Sequence, residues 1–135
     1  MEKETTKLGL VGFFDILGYQ NLLERNEPEK IAKEVLPILT NIGDRVVNNL
    51  QDIHNVITSD IRFKKKSSIA EKQLKIIKTI SWLVFSDTVL LTLPIEEKDH
   101  YWVNFSWMIF LVATIFIQRE LFQAGLPSRG VIEYG

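Results

Sequence analysis

Val11-Gly12-Phe13-Phe14-Asp15-Ile16-Leu17-Gly18-Tyr19 and Trp82-Leu83-Val84-Phe85-Ser86-Asp87-Thr88-Val89-Leu90-Leu91 are apolar runs, each holding a single aspartate where a strand should end. Short apolar runs bounded by turn residues read as buried strands. Such strands exclude an unpaired carboxylate, because in a low-dielectric core it is strongly penalised or titrates to neutral. An acid kept there points out of the strand end toward positive charge. A divalent metal ion is the natural partner, since hard carboxylate oxygens on a rigid sheet are suitable ligands.

Outward from these runs, Lys7 to Phe14 reads as a first strand and Tyr19 to Glu24 as a short helix after the turn at Gly18. Pro28 is placed to open the next helix. There Ile31, Val35, Ile38, Leu39, Ile42, Val46 and Leu50 recur at three- and four-residue intervals. Pro37 lies inside this pattern and should kink or split the helix. From Gln51 to Lys72 the periodicity dissolves, and Lys64-Lys65-Lys66-Ser67-Ser68 reads as an exposed, solvated loop. Leu74 to Phe85 and Thr88 to Leu93 read as the arms of a hairpin with Ser86-Asp87 at its turn. A charged loop, Glu96 to Asp99, leads to a long apolar helix ending near Phe122, and Arg129 to Gly135 begins another strand.

The order strand, helix, helix, hairpin, helix, strand implies an α+β domain, an antiparallel sheet with helices packed on one face. In that layout the end of the first strand and the hairpin turn lie side by side, which brings Asp15 and Asp87 together. Two carboxylates so placed can hold one or two magnesium or manganese ions that bridge triphosphate oxygens. The backbone N–H groups of Ile16, Leu17, Gly18 and Tyr19 would face the phosphates at a helix N-terminus. The plainer alternative makes Asp15 an N-cap and Asp87 a turn residue, both common structural uses.

Composition narrows the classes. At 135 residues and 46% hydrophobic, the chain has material for one compact domain, residues 1–135. A net charge of -1 argues against a dedicated nucleic-acid binder. The absence of cysteine excludes disulfides, zinc–thiolate sites and cysteine nucleophiles. The charged start, Met1 to Lys7, lacks the apolar stretch of a signal peptide, so a cytoplasmic location is expected. Tyr101 to Gln118 carries no formal charge over eighteen residues, close to membrane-span length. Asn104 and Ser106 lie inside it and no basic cluster flanks it, so a helix buried in the core or an oligomer interface is favoured over a membrane span. His54 and His100 are isolated, without ligand spacing to another donor.

Phe13-Phe14-Asp15-Ile16-Leu17-Gly18-Tyr19 resembles the F-x-D-[IL]-x-G-[FY] motif that opens the catalytic domain of class III nucleotidyl cyclases. Phe85-Ser86-Asp87-Thr88-Val89 is similar to that family's hairpin, which supplies its second metal-binding aspartate. Leu126-Pro127-Ser128-Arg129-Gly130-Val131-Ile132-Glu133-Tyr134-Gly135 is similar to the family strand that often reads Pro-x-Arg-x-Gly-[IV]-x-x-Gly. Among the branches, the compact bacterial antiphage cyclases that make cyclic pyrimidine nucleotides, the Pycsar enzymes, look most alike.

The resemblance implies a ferredoxin-like, cyclase-type antiparallel sheet, of which this chain carries the N-terminal portion and is incomplete at its C-terminus. It implies two magnesium or manganese ions held by Asp15, Asp87 and the Ile16 carbonyl. The reaction implied is attack of a ribose 3'-hydroxyl on the α-phosphate of a nucleoside triphosphate, giving a 3',5'-cyclic nucleotide such as cUMP or cCMP and pyrophosphate. A head-to-tail homodimer is implied as well. Two departures stand against a direct carry-over. Purine cyclases place a base-reading Lys or Glu where this chain has Leu83, and the family's transition-state Asn and Arg lie beyond the last strand here. Negligible turnover is therefore expected of residues 1–135, and a catalytically silent dimerisation or regulatory module of the same fold is the alternative.

Overall fold

The computed structural model describes residues 8–59, 67–95 and 100–135. The elements are β1 (Gly9–Ile16), α1 (Tyr19–Arg25), α2 (Pro28–Glu34), α3 (Leu36–Thr58), α4 (Ser67–Lys78), β2 (Ser81–Phe85), β3 (Thr88–Pro94), α5 (His100–Gln123) and β4 (Ser128–Tyr134). The strands form one sheet in the order β2-β3-β1-β4. Every neighbouring pair is antiparallel. The expected α+β class holds, with helices packed against a four-stranded antiparallel sheet.

Strand alternation sorts the side chains to two faces. Leu10, Phe14 and Ile16 of β1 and Val89, Leu91 and Leu93 of β3 turn inward and are buried. They pack with Leu39, Ile42, Val46 and Leu50 of α3 and with Phe110, Ala113, Ile117 and Leu121 of α5 as one core. Gly130 of β4 has no side chain where the Phe14 ring lies, 2.5 Å from the position a Cβ would take. The outer face carries Phe13, Leu83, Phe85 and Val131, which are 43%, 57%, 51% and 58% exposed.

The helical run from Pro28 breaks at Val35, two residues before Pro37, which takes one of the first positions of α3. Proline lacks the N–H that a continued helix would need there, and the first turn of a new helix tolerates that loss. Helix α3 then runs to Thr58, eight residues past the last clear apolar repeat at Leu50. An ion pair from Arg45 Nη1 to Glu120 Oε2, 3.0 Å long, joins α3 to α5. At the far end of α5 the Leu126 amide reaches back to the Leu121 carbonyl at 2.8 Å and Gly125 to Phe122 at 3.0 Å. That pair of bonds is a Schellman closure, which turns the chain into β4.

Two expectations need correction. Ser67-Ser68 is not loop but the start of α4, while Lys64 to Lys66 lie outside the described residues. Leu74 to Lys78 belongs to α4 as well, so the first hairpin arm is only Ser81–Phe85. The α4 apolar positions Leu74 and Ile77 sit at helical spacing and Ile77 is fully buried, so helix packing outweighed the β-branched composition. The charged residues Glu96 to Asp99 and Met1 to Lys7 also fall outside the described residues.

Helix α5 is long and apolar enough to cross a membrane by length and composition. One side of it is core, with Phe110, Ala113, Ile117 and Leu121 fully buried. The opposite side leaves Met108, Ile115 and Phe122 exposed, so the helix is buried along one stripe and not all round.

Candidate functional site

Asp15 lies within β1 and not after it. Its register partners are Thr88 on β3 and Arg129 on β4, so all three residues fall on the outer face at one end of the sheet. Asp87 occupies the two-residue turn between β2 and β3, next to Thr88. Ser86, the other turn residue, takes φ 53 and is the one non-glycine residue of positive φ among those described. The strain of that conformation is modest for a small polar residue in a tight hairpin.

The Thr88 hydroxyl joins the two acids. Its Oγ1 lies 2.9 Å from Asp15 Oδ1 and 3.4 Å from Asp87 Oδ1. A hydroxyl has one proton to donate. The shorter contact takes it, and the Asp87 oxygen is left close by with only a long contact. The two carboxylate oxygens are thus no further apart than the sum of those distances. A backbone bond fixes the same junction, the Ile16 amide donating to the Asp87 carbonyl at 2.8 Å. The N-cap alternative fails for Asp15: the residue preceding α1 is Gly18, and no side chain caps that helix.

Magnesium and manganese favour oxygen ligands in octahedral shells and keep several positions for water or phosphate. Two carboxylates so placed suit such an ion as a partial shell. Among the described residues no group of three or more His, Cys, Asp or Glu side chains converges.

The turn after β1 is less open than its sequence suggests. The Ile16 amide is spent on Asp87, and the Leu17 amide donates to the Pro127 carbonyl at 2.8 Å. Two of the four backbone groups expected to face phosphates therefore serve to join β1 to the hairpin and to the α5–β4 connection. That leaves Gly18 and Tyr19 of the four. Gly18 takes φ 71, which glycine adopts without strain, and its missing Cβ would meet nothing within 4 Å, so conformation and not space calls for glycine. Ile16 to Tyr19 line a depression of about 240 Å³ shared with Arg25, Asn26 and Leu126, and Asp15 and Asp87 are not part of its wall.

Arg129 was absent from the site read in the sequence, and the β1–β4 register puts it directly across from Asp15. The pairing register carries that information, and a sequence motif alone does not. Leu83 opposes Leu90 on the same outer face, two register positions from the Phe85–Thr88 pair. No family model and no curated protein matches the chain.

Proposed function

We propose that this domain binds a nucleoside triphosphate through divalent metal ions held by Asp15 and Asp87, in the manner of a nucleotide cyclase, whose reaction forms a 3',5'-cyclic nucleotide with release of pyrophosphate. The observation that carries the reading is the placement of both carboxylates beside one Thr88 oxygen, at 2.9 and 3.4 Å. The connectivity is compatible with it: β1, a set of four helices, the β2–β3 hairpin, α5 and β4, with β4 beside β1, can be read as a ferredoxin-like arrangement with extra helices. When bound, the ions would activate the 3'-hydroxyl and neutralise the departing pyrophosphate.

The chain's own residues would orient the substrate. Gly18 and Tyr19 offer amides to phosphate oxygens, and Arg129 supplies positive charge across from Asp15. Leu83 offers the base an apolar contact and no charged reader, in keeping with a pyrimidine triphosphate such as UTP or CTP. The apolar outer face, with Phe13, Phe85 and Val131 exposed, is suited to cover by a second copy in a head-to-tail homodimer.

A second reading, a catalytically silent dimerisation module of the same fold, is favoured by the engagement of the Ile16 and Leu17 amides with backbone carbonyls. Calorimetric titration of UTP, CTP, ATP and GTP with and without manganese separates the two. Manganese-dependent triphosphate binding that Asp87→Asn abolishes supports the cyclase site. Binding that is absent, or indifferent to the metal, supports the silent module.

A further inference from the structure

Among the described residues β4 is an edge of the sheet, and its register with β1 shows which of its backbone groups face outward. Gly135 and Gly9 exchange both of their backbone bonds, at 3.0 Å each. Antiparallel ladders alternate such hydrogen-bonded pairs with non-hydrogen-bonded ones. Glu133, Val131 and Arg129 therefore turn their N–H and C=O groups toward β1, and Tyr134, Ile132, Gly130 and Ser128 turn theirs away from it. An edge of that kind is a template for another strand unless something blunts it. No proline interrupts Ser128–Tyr134, and its 7 residues exceed the 5 of β2 at the other edge.

The charges on β4 select the strand that fits. Arg129, Val131 and Glu133 lie on the outer face, and all three are exposed. Among the described residues neither Arg129 nor Glu133 has an ion-pair partner. A second β4 can pair antiparallel about a two-fold axis at Val131. Gly130 then exchanges backbone bonds with Ile132 of the second copy, and Ser128 with its Tyr134, which are the outward-turned groups. Arg129 falls opposite Glu133 of the second copy, twice by symmetry, at the non-hydrogen-bonded positions where side chains stand closest. The neighbouring registers that also match the outward groups set Arg129 or Glu133 against Val131 and lose both ion pairs. Strand β2 carries no formal charge over Ser81–Phe85 and selects no such register.

We infer that β4 is a self-association edge: two copies join antiparallel through β4, centred on Val131, with Arg129 of each against Glu133 of the other, so that two four-stranded sheets become one continuous sheet. The interface is isologous and lies on the sheet's edge, whereas the homodimer proposed above is head-to-tail on its outer face. One strand pair and two exposed ion pairs hold a weak dimer, with a Kd of about 1 μM or above. The inference does not use the metal ligands, and association is read without metal or nucleotide. It and the metal–triphosphate reading therefore fail separately.

The test is sedimentation velocity of the 135-residue chain in low salt, from about 1 μM to about 1 mM, the range that brackets such a Kd. The expected result is a monomer–dimer equilibrium that weakens as salt is raised. Arg129→Glu or Glu133→Arg alone sets like charges opposite each other at both symmetry-related positions and should raise Kd at least about tenfold. Mixing the two variants in equal amounts should restore the dimer as a heterodimer, because each supplies the charge the other lacks. The double variant should restore it as a homodimer. Recovery on mixing also shows that both variants are folded. Ile132→Pro removes an outward N–H, a loss that an edge strand tolerates within its own sheet, and should leave a folded monomer. A wild type that stays monomeric at about 1 mM would overturn the inference. So would a dimer that both reversals leave intact, or single reversals that mixing does not rescue. A dimer that Phe85→Ser breaks and the charge reversals do not would belong to the outer face, where Phe85 is 51% exposed, and would overturn it equally.

Discussion

Thr88 donates its hydroxyl to Asp15 across the β1–β3 pair at 2.9 Å, and the same oxygen stands 3.4 Å from Asp87. The hydroxyl orients one acid and makes only a long contact with the other. Thr88→Val preserves the β-branched shape and removes the donor, leaving Asp15 without its described partner. A net hydrogen bond of this kind contributes about 0.5–1.5 kcal/mol. A drop of a few degrees in Tm is expected, together with weaker manganese-dependent triphosphate binding, while Thr88→Ser should restore both. Thr88→Val with wild-type metal-dependent binding would show that the hydroxyl does not position the carboxylate.

Gly43 of α3 faces the indole of Trp82 on β2, and a Cβ at Gly43 would overlap the ring. By propensity alone, alanine in a helix interior is favoured over glycine by about 1 kcal/mol. Here the overlap should reverse the sign, since overpacking a fitted contact costs about 1–3 kcal/mol. Gly43→Ala should lower Tm, and in a Trp82→Val background the same change should become neutral or stabilising. Thermal unfolding of the four proteins of that cycle checks the contact, and a higher Tm for Gly43→Ala in the wild-type background would refute it.

Adjacent phenylalanines test the register of β1. Phe14 is 2% exposed and part of the core, whereas Phe13 is 43% exposed on the outer face. Phe14→Ala should cost about 3–5 kcal/mol, a large share of a typical domain's stability of about 5–15 kcal/mol. Phe13→Ala should cost less than half as much in the monomer, because its ring is already partly in water. Urea denaturation of both variants supplies the comparison. Similar losses for the two would mean that the strand faces have been assigned the wrong way round.

The strands that lead to the site were legible because their apolar runs are short and bounded by turn residues, and Ser86-Asp87 is the hairpin turn expected. Pro37 marked the α2–α3 break for a local reason, the missing proline N–H. Helix α4 was not legible. Ile76, Ile77 and Ile80 look like strand composition, and what holds residues 67–78 in a helix is packing of Ile77 into a core contributed by distant segments. The end of β1 was placed before Asp15 because a charge ordinarily stops a strand, yet the outer face admits it there beside Thr88. Arg129 and the use of the Ile16 and Leu17 amides depended on register and on backbone partners far along the chain, which no local pattern carries.

The central claim is that Asp15 and Asp87 hold a metal–triphosphate complex, and its most direct test is thermal shift with manganese and UTP. Wild type, Asp15→Asn and Asp87→Asn should be compared with metal alone, nucleotide alone and both together. Asp87 sits in a turn and contributes little to packing, so Asp87→Asn should melt at the wild-type temperature without metal. The account predicts that manganese with UTP raises the wild-type Tm by several degrees and that each substitution removes most of the rise. A stabilisation of about 2.7 kcal/mol corresponds to ligand at one hundred times its Kd, which sets the concentrations needed. An equal rise in all three proteins would contradict the account, because the carboxylates would then not be the ligands.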